Sequence, residues 1–179
     1  MLECLFVELR IIIRYMAKSK VALIIFLFIS VFSAILPWMV HPKKRIEVTS
    51  LTIGRTLFQV EVARTAEQIT QGLSDRNAIG ADGMLFVLPQ RNIPSFWMFH
   101  MKFPLDFVWI DGDRVVDLTE HIPAPARGTP DSALPTYSPK VPVTHVLELP
   151  DGTIKKDSIQ VGDVVRLNPQ RHRGWQEFR

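Results

Sequence analysis

The sequence predicts a mainly β domain with one short helix, preceded by a single membrane-spanning helix. Three observations carry that expectation. After residue 75, no long stretch repeats its apolar residues at the helical period of 3.6. Short β-rich runs alternate there with Gly, Pro and Asp turn signals. Residues 21–40, VALIIFLFISVFSAILPWMV, contain no charge.

The uncharged run is 20 residues long. At ~1.5 Å per residue it reaches ~30 Å, the thickness of a bilayer core. Trp38 and Pro37 stand near its far end, where an interfacial Trp and a helix-ending Pro are tolerated. A cleaved secretory signal has a shorter apolar region and small residues at its cleavage site. The best candidate site here, after Ser33, lies inside the apolar run. An uncleaved anchor is therefore preferred over a secreted form. Arg10, Arg14, Lys18 and Lys20 precede the run, and Lys43, Lys44 and Arg45 follow it. That one-charge excess puts the N-terminus inside and the domain outside the cytoplasm. A start at Met16 would erase the excess. The expected organisation is a cytoplasmic segment 1–20, an anchor 21–40, a basic linker 41–45, a β domain 46–168 and a basic tail 169–179.

Charge follows the same division. The chain carries 21 Lys+Arg and 18 Asp+Glu, a net charge of +3. Residues 1–45 hold seven basic and two acidic residues, or +5, and the remainder holds 14 and 16, or −2. The domain itself is slightly acidic, so no nucleic-acid partner is expected. At 47% hydrophobic and 22% charged, the composition is that of a folded protein. The one cysteine, Cys4, precedes the apolar run. The domain can therefore hold neither a disulfide nor a thiolate zinc site.

Within the domain, residues 46–53 and 57–62 flank Gly54 and read as a hairpin. Thr65-Ala-Glu-Gln68 is a capping box and predicts about two helical turns, with Ile69 and Leu73 buried and Gly72 near the stop. Residues 83–88 read as a strand and 89–94 as a loop. Residues 96–103, FWMFHMKF, alternate as a strand with Trp97, Phe99, Met101 and Phe103 on one face. Residues 105–110 and 115–120 surround Asp111-Gly-Asp-Arg114 and predict a second hairpin. With a four-residue loop, Ile110 pairs with Val115 and Phe107 with Leu118. That register gathers Leu105, Phe107, Trp109, Val116 and Leu118 on one face, with Asp106, Asp117 and Thr119 on the other. Six prolines fall in 123–142, where no regular element is expected. Residues 145–149 resume a strand, and 158–167 close the domain around Gly162-Asp163.

The order of these pieces resembles the domain-of-unknown-function 192 family. The matching residues are Val60-Glu-Val-Ala-Arg-Thr65, Gly72-Leu73 with Arg76, Gly83-Met-Leu-Phe86 and Phe96-Trp-Met98. Phe103-Pro-Leu-Asp106, Trp109-Ile-Asp111, Val146-Leu-Glu148 and Gly162-Asp163 complete the set. The chain departs from the family at Ser74, where Met is frequent, and at Phe99-His-Met101, where Lys-Asn-Thr is frequent. The resemblance implies a compact β-sandwich of jelly-roll character. It implies no biochemical role.

The candidate ligand-binding residues are Trp97, His100, Asp106, Glu120 and Tyr137. Imidazole and carboxylates can bind ligands or move protons, and Trp or Tyr can stack on a flat ligand. His121 adjoins Glu120, but no pair shows metal-ligand spacing, so no metal and no cofactor are expected. Asp106 at a strand start also suits a capping role, and Glu148 a structural one, paired with Arg76 or Arg166. Neither a Gly-x-Ser-x-Gly elbow nor a Gly-rich phosphate loop is present. The sequence thus favours a non-enzymatic binding or accessory module of the cell envelope. Its partners would be the membrane, through 21–40, and a small ligand or an envelope protein. The alternatives are an envelope-acting hydrolase using His100, Asp106 and Glu120, and a structural part of a membrane protein assembly.

Overall fold

A computed structural model describes residues 46–168. The predicted anchor and the basic tail lie outside the described residues. Among the described residues no helix is long and apolar enough to cross a membrane.

The elements are β1 (Glu47–Ile53), β2 (Thr56–Ala63), α1 (Ala66–Gln71), β3 (Gly83–Asn92), β4 (Phe96–Trp97), β5 (Leu105–Asp111), β6 (Arg114–Ile122), β7 (Thr136–Tyr137), β8 (Val143–Pro150), α2 (Thr153–Lys156) and β9 (Val165–Asn168). Seven strands form one sheet in the order β6-β5-β8-β3-β2-β1-β9, and β4 pairs with β7 apart from it. β2 and β3 run parallel and the other pairs antiparallel. A single curled, half-barrel sheet therefore replaces the expected sandwich of two stacked sheets. At one end its two edges meet. Val115 N donates to Asp163 O at 3.0 Å, Gly162 N to Val115 O at 2.8 Å and Val165 N to Asp113 O at 2.8 Å.

Strand alternation divides the buried residues between two faces. Leu51, Ile53, Phe58, Val60, Leu85, Val108, Ile110, Val115, Leu147, Leu149 and Val165 form one core cluster. It draws on all seven strands, so it fills the inside of the curl, and Ile154 of α2 and Ile159 plug it. Met84, Phe86, Phe107, Trp109 and Val146 form the second cluster on the outer face. That face is covered by Leu73, Met98 and Met101, with half-buried Phe96 and Tyr137 packed against it. Because both faces are covered, β5, one strand in from the edge, is buried at every position from Leu105 to Ile110.

Several local expectations change. The β5–β6 hairpin closes on Gly112-Asp113, with Asp111 opposite Arg114. Gly112 has φ +59 at the first central position, where a two-residue turn of this kind needs glycine. Ile110 pairs with Val115 as expected, but a bulge follows and Trp109 pairs with Asp117. Phe107 then faces Thr119 instead of Leu118. The bulge sends Leu118 to the inner cluster, while Thr119 accepts a 2.9 Å hydrogen bond from Trp109 Nε1.

β3 runs on through Pro89 to Asn92, with its register broken after Val87. The 96–103 segment is a strand only at Phe96–Trp97. Met101 N turns back to Met98 O at 3.2 Å, and His100 has φ +53. Period-two alternation therefore fails there, and Phe96, Met98, Met101 and Phe103 are the residues packed inward. The proline-rich stretch contains a short 3₁₀ turn at Asp131–Ala133 and then β7. Asp117 holds its far end, accepting from Lys140 N at 3.0 Å.

Candidate functional site

Glu148 is the outlier of the outer face. In β8 it follows Val146 by two residues, so the pleat points both side chains the same way. Its neighbours across the ladders are Met84 on β3 and Phe107 on β5. It is 6% exposed. Among the described residues no hydrogen bond or ion pair reaches its carboxyl group. Burial alone pushes its pKa up to about 8, so the group is mostly protonated at pH 7. The expected partner Arg76 instead binds Glu61, at 2.7 Å.

This acid lines a pocket of about 280 Å³. The apolar wall includes Ile69, Leu73, Phe86, Phe96, Trp97 and Phe99. Among the described residues lining it, Glu148 is the one ionisable group. The wall is set from both sides. α1 begins with the capping box read from the sequence: Thr65 Oγ1 accepts from Gln68 N at 3.2 Å, and Gln68 Oε1 accepts from Thr65 N at 3.1 Å. It ends at Gly72, with φ +46, where a Cβ would come within 3.3 Å of Phe86 Cζ. Ser74 Oγ then donates to Phe99 O at 2.8 Å, and Asp75 N to His100 O at 3.0 Å. These bonds tie the exit of α1 to the link between β4 and β5.

The sequence-derived candidates do not form one site. Trp97 is 48% exposed and lines the Glu148 pocket. It stacks on Phe99 at 5.0 Å, and Phe99 stacks on His100 at 3.9 Å. His100 itself lines a separate open groove with Asp75, Lys102 and residues of the proline-rich loop. His100 Nδ1 and Asp75 Oδ1 are 3.3 Å apart. Tyr137 faces the outer core and meets Phe107 edge-on at 6.0 Å. Glu120 is exposed.

Asp106 belongs to the opposite face. It is fully buried, and its two oxygens accept from His121 N and Ile154 N, each at 3.0 Å. The first bond holds the β6 bulge, where His121 has φ +58, and the second holds the start of α2. The sheet thus separates Asp106 from His100. Asp106, His121 and Asp151 do place one potential ligand atom each within 4.8 Å of one another. Both Asp106 oxygens are already engaged, however, and His121 Nδ1 sits 2.7 Å from Asp151 Oδ1. That carboxylate raises the His121 pKa, while burial lowers that of His145.

Comparison with known proteins agrees with this fold. A protein from Sinorhizobium meliloti 1021, described as a candidate transcription regulator, is 25% identical, with a TM-score of 0.62. The match covers 70% of this chain and 97% of that one. A protein of unknown function from Novosphingobium aromaticivorans DSM 12444 is 27% identical, with a TM-score of 0.60, over 71% of this chain and 90% of that one. No curated protein matches the chain. Residues 49–167 match the model of DUF192, described as "Uncharacterized ACR, COG1430". The chain belongs to the domain-of-unknown-function 192 family.

Proposed function

We propose that this protein is a small-ligand-binding module of the cell envelope, not an enzyme, and that its site is the Glu148 pocket. One observation carries the reading: a buried acid without a partner among the described residues, at an apolar pocket. Burying a polar group without a protein partner is costly, and the side of the carboxyl that faces the pocket is left for water or a ligand to satisfy. Apolar walls with a few placed polar groups are the usual construction of such sites. Catalysis has less support. Among the described residues the pocket offers no second acid or base, and the Ser74 hydroxyl is engaged by the Phe99 carbonyl.

Residues 21–40 serve in this reading as the anchor, with the domain outside the cytoplasm. The support is the length and the uncharged character of that run. Membrane fractionation with protease protection tests it: a carbonate-resistant protein digested from the outer side is expected, and a soluble one contradicts the anchor.

The site is tested by thermal-shift screening of residues 46–179 against envelope glycans, metals and small metabolites. A ligand stabilises the state it binds. A shift that disappears in Glu148→Leu supports the site. A shift that survives unchanged places the ligand elsewhere.

A further inference from the structure

We infer that the ligand of this pocket is a small organic ammonium ion, its charge set against Glu148 and its apolar part against the aromatic wall. The inference rests on the binding reading above and adds the chemical class.

Charge complementarity is the first ground. Among the described residues Glu148 is the pocket's one ionisable group, and no cation of those residues reaches it. The charged side chains on the surrounding elements are used elsewhere or point outward. Arg76 is held by Glu61 at 2.7 Å. Lys102 Nζ donates to Asp75 O and to Asn77 Oδ1, each at 3.0 Å. His100 lies 3.3 Å from Asp75, and Glu67 on α1 is exposed. Its two ladder neighbours, Met84 and Phe107, are apolar. Among the described residues none supplies a counter-charge, and a cation entering the pocket would bring one to the carboxylate.

The wall supplies the second ground. Phe86, Phe96, Trp97 and Phe99 all line the space. Aromatic faces carry negative charge density and attract cations, ammonium groups above all where water is excluded. A carboxylate ligand would meet the same acid unfavourably. A neutral ligand would gain the apolar contacts but not the ionic one.

The proton balance is explicit. Free Glu148 holds a proton at pH 7. When the ammonium ion binds, the carboxyl gives that proton to the solvent and becomes the counter-anion. Above the pKa of the free acid the release stops and affinity levels off.

The test uses residues 46–179, one of the chain's two compact units, which contains the whole family match at 49–167. Three matched probes are titrated calorimetrically at pH 7 in two buffers of different ionisation enthalpy: phenethylammonium, 2-phenylethanol and 3-phenylpropanoate. Phenethylammonium is expected to bind at least tenfold tighter than the alcohol and to release close to one proton. The acid is expected not to bind. In Glu148→Gln the preference and the proton release should vanish while the alcohol still binds. Equal or tighter binding of the alcohol, or a preference that survives in Glu148→Gln, overturns the ammonium assignment and leaves the pocket reading intact. Absence of binding by all three probes also overturns it. The pocket reading then stands or falls on the Glu148-dependent shifts in the wider screen.

Discussion

Glu148 stands directly opposite Phe107 in the ladder between β8 and β5. This pairing sets a carboxylic acid among the edge-to-face rings of the outer core, where Phe107 meets Trp109 at 5.6 Å and Phe96 at 5.9 Å. An acid in that setting favours its neutral form, so it influences both the stability of the domain and what can enter the pocket.

The first prediction concerns pH. The folded pKa of Glu148, about 8, lies above its ordinary value of 4.5, so the folded state binds more protons between these limits. Its contribution to stability is complete below about pH 4.5 and falls as pH rises towards 8. Glu148→Gln stays neutral throughout. Its melting temperature should exceed that of the wild type increasingly from pH 5 to 9. Parallel profiles for the two proteins would contradict the buried-acid assignment.

Asp106 should behave as a structural acceptor. Asp106→Ala leaves the His121 and Ile154 amides without their partner. Bonds to a charged group contribute about 1.5–3 kcal/mol each, so a loss of about 3–6 kcal/mol is expected in urea unfolding. A loss below about 1 kcal/mol would show that the carboxylate does not hold the bulge and α2.

The wall of the pocket depends on α1. Thr65→Ala removes the cap and should cost about 1 kcal/mol. Gly72→Ala forces a side chain into a backbone region that favours glycine, at about 1–3 kcal/mol, and pushes on Phe86. Ligand affinity should therefore fall more in Gly72→Ala than in Thr65→Ala. Equal affinities, measured by titration calorimetry at a temperature where both variants are folded, would detach Gly72 from the site.

Two histidines should titrate on opposite sides of the ordinary value of 6.5. Asp151 raises His121 and burial lowers His145. The His121–Asp151 contact adds stability below pH 6.5 and loses it as pH rises through the raised folded pKa. Histidine side-chain NMR should show this order, and Asp151→Asn should lower the His121 midpoint while leaving His145 unmoved.

Much of the frame is visible in the sequence because local chemistry decides it. Alternation and turn residues locate the hairpins, and Thr65 with Gln68 marks the start of α1. The failures occur where one residue departs from its period. A bulge at Val116 exchanges the faces of Leu118 and Thr119. His100, at φ +53, reverses a segment that reads as a strand, so Trp97 and Phe99 end outside while Met98 goes in. Neither event has a side-chain signature strong enough to compete with an apolar alternation. Asp106 shows its capping tendency through its place beside Pro104-Leu105, but its partners lie 15 and 48 residues away. Glu148 left a usable signal: a charge inside Val-Leu-Glu-Leu, on a strand whose two faces are both apolar. The sequence reading pairs it with Arg76 or Arg166, and only the tertiary structure shows that among the described residues no cation follows it there.

The most direct test of the central claim is the titration of the Glu148 carboxyl carbon by ¹³C NMR, assigned with Glu148→Gln. A midpoint near 8 is predicted. A midpoint near 4.5 would mean that water or a counter-charge already reaches the carboxyl, and would contradict an unpartnered acid waiting at an apolar site.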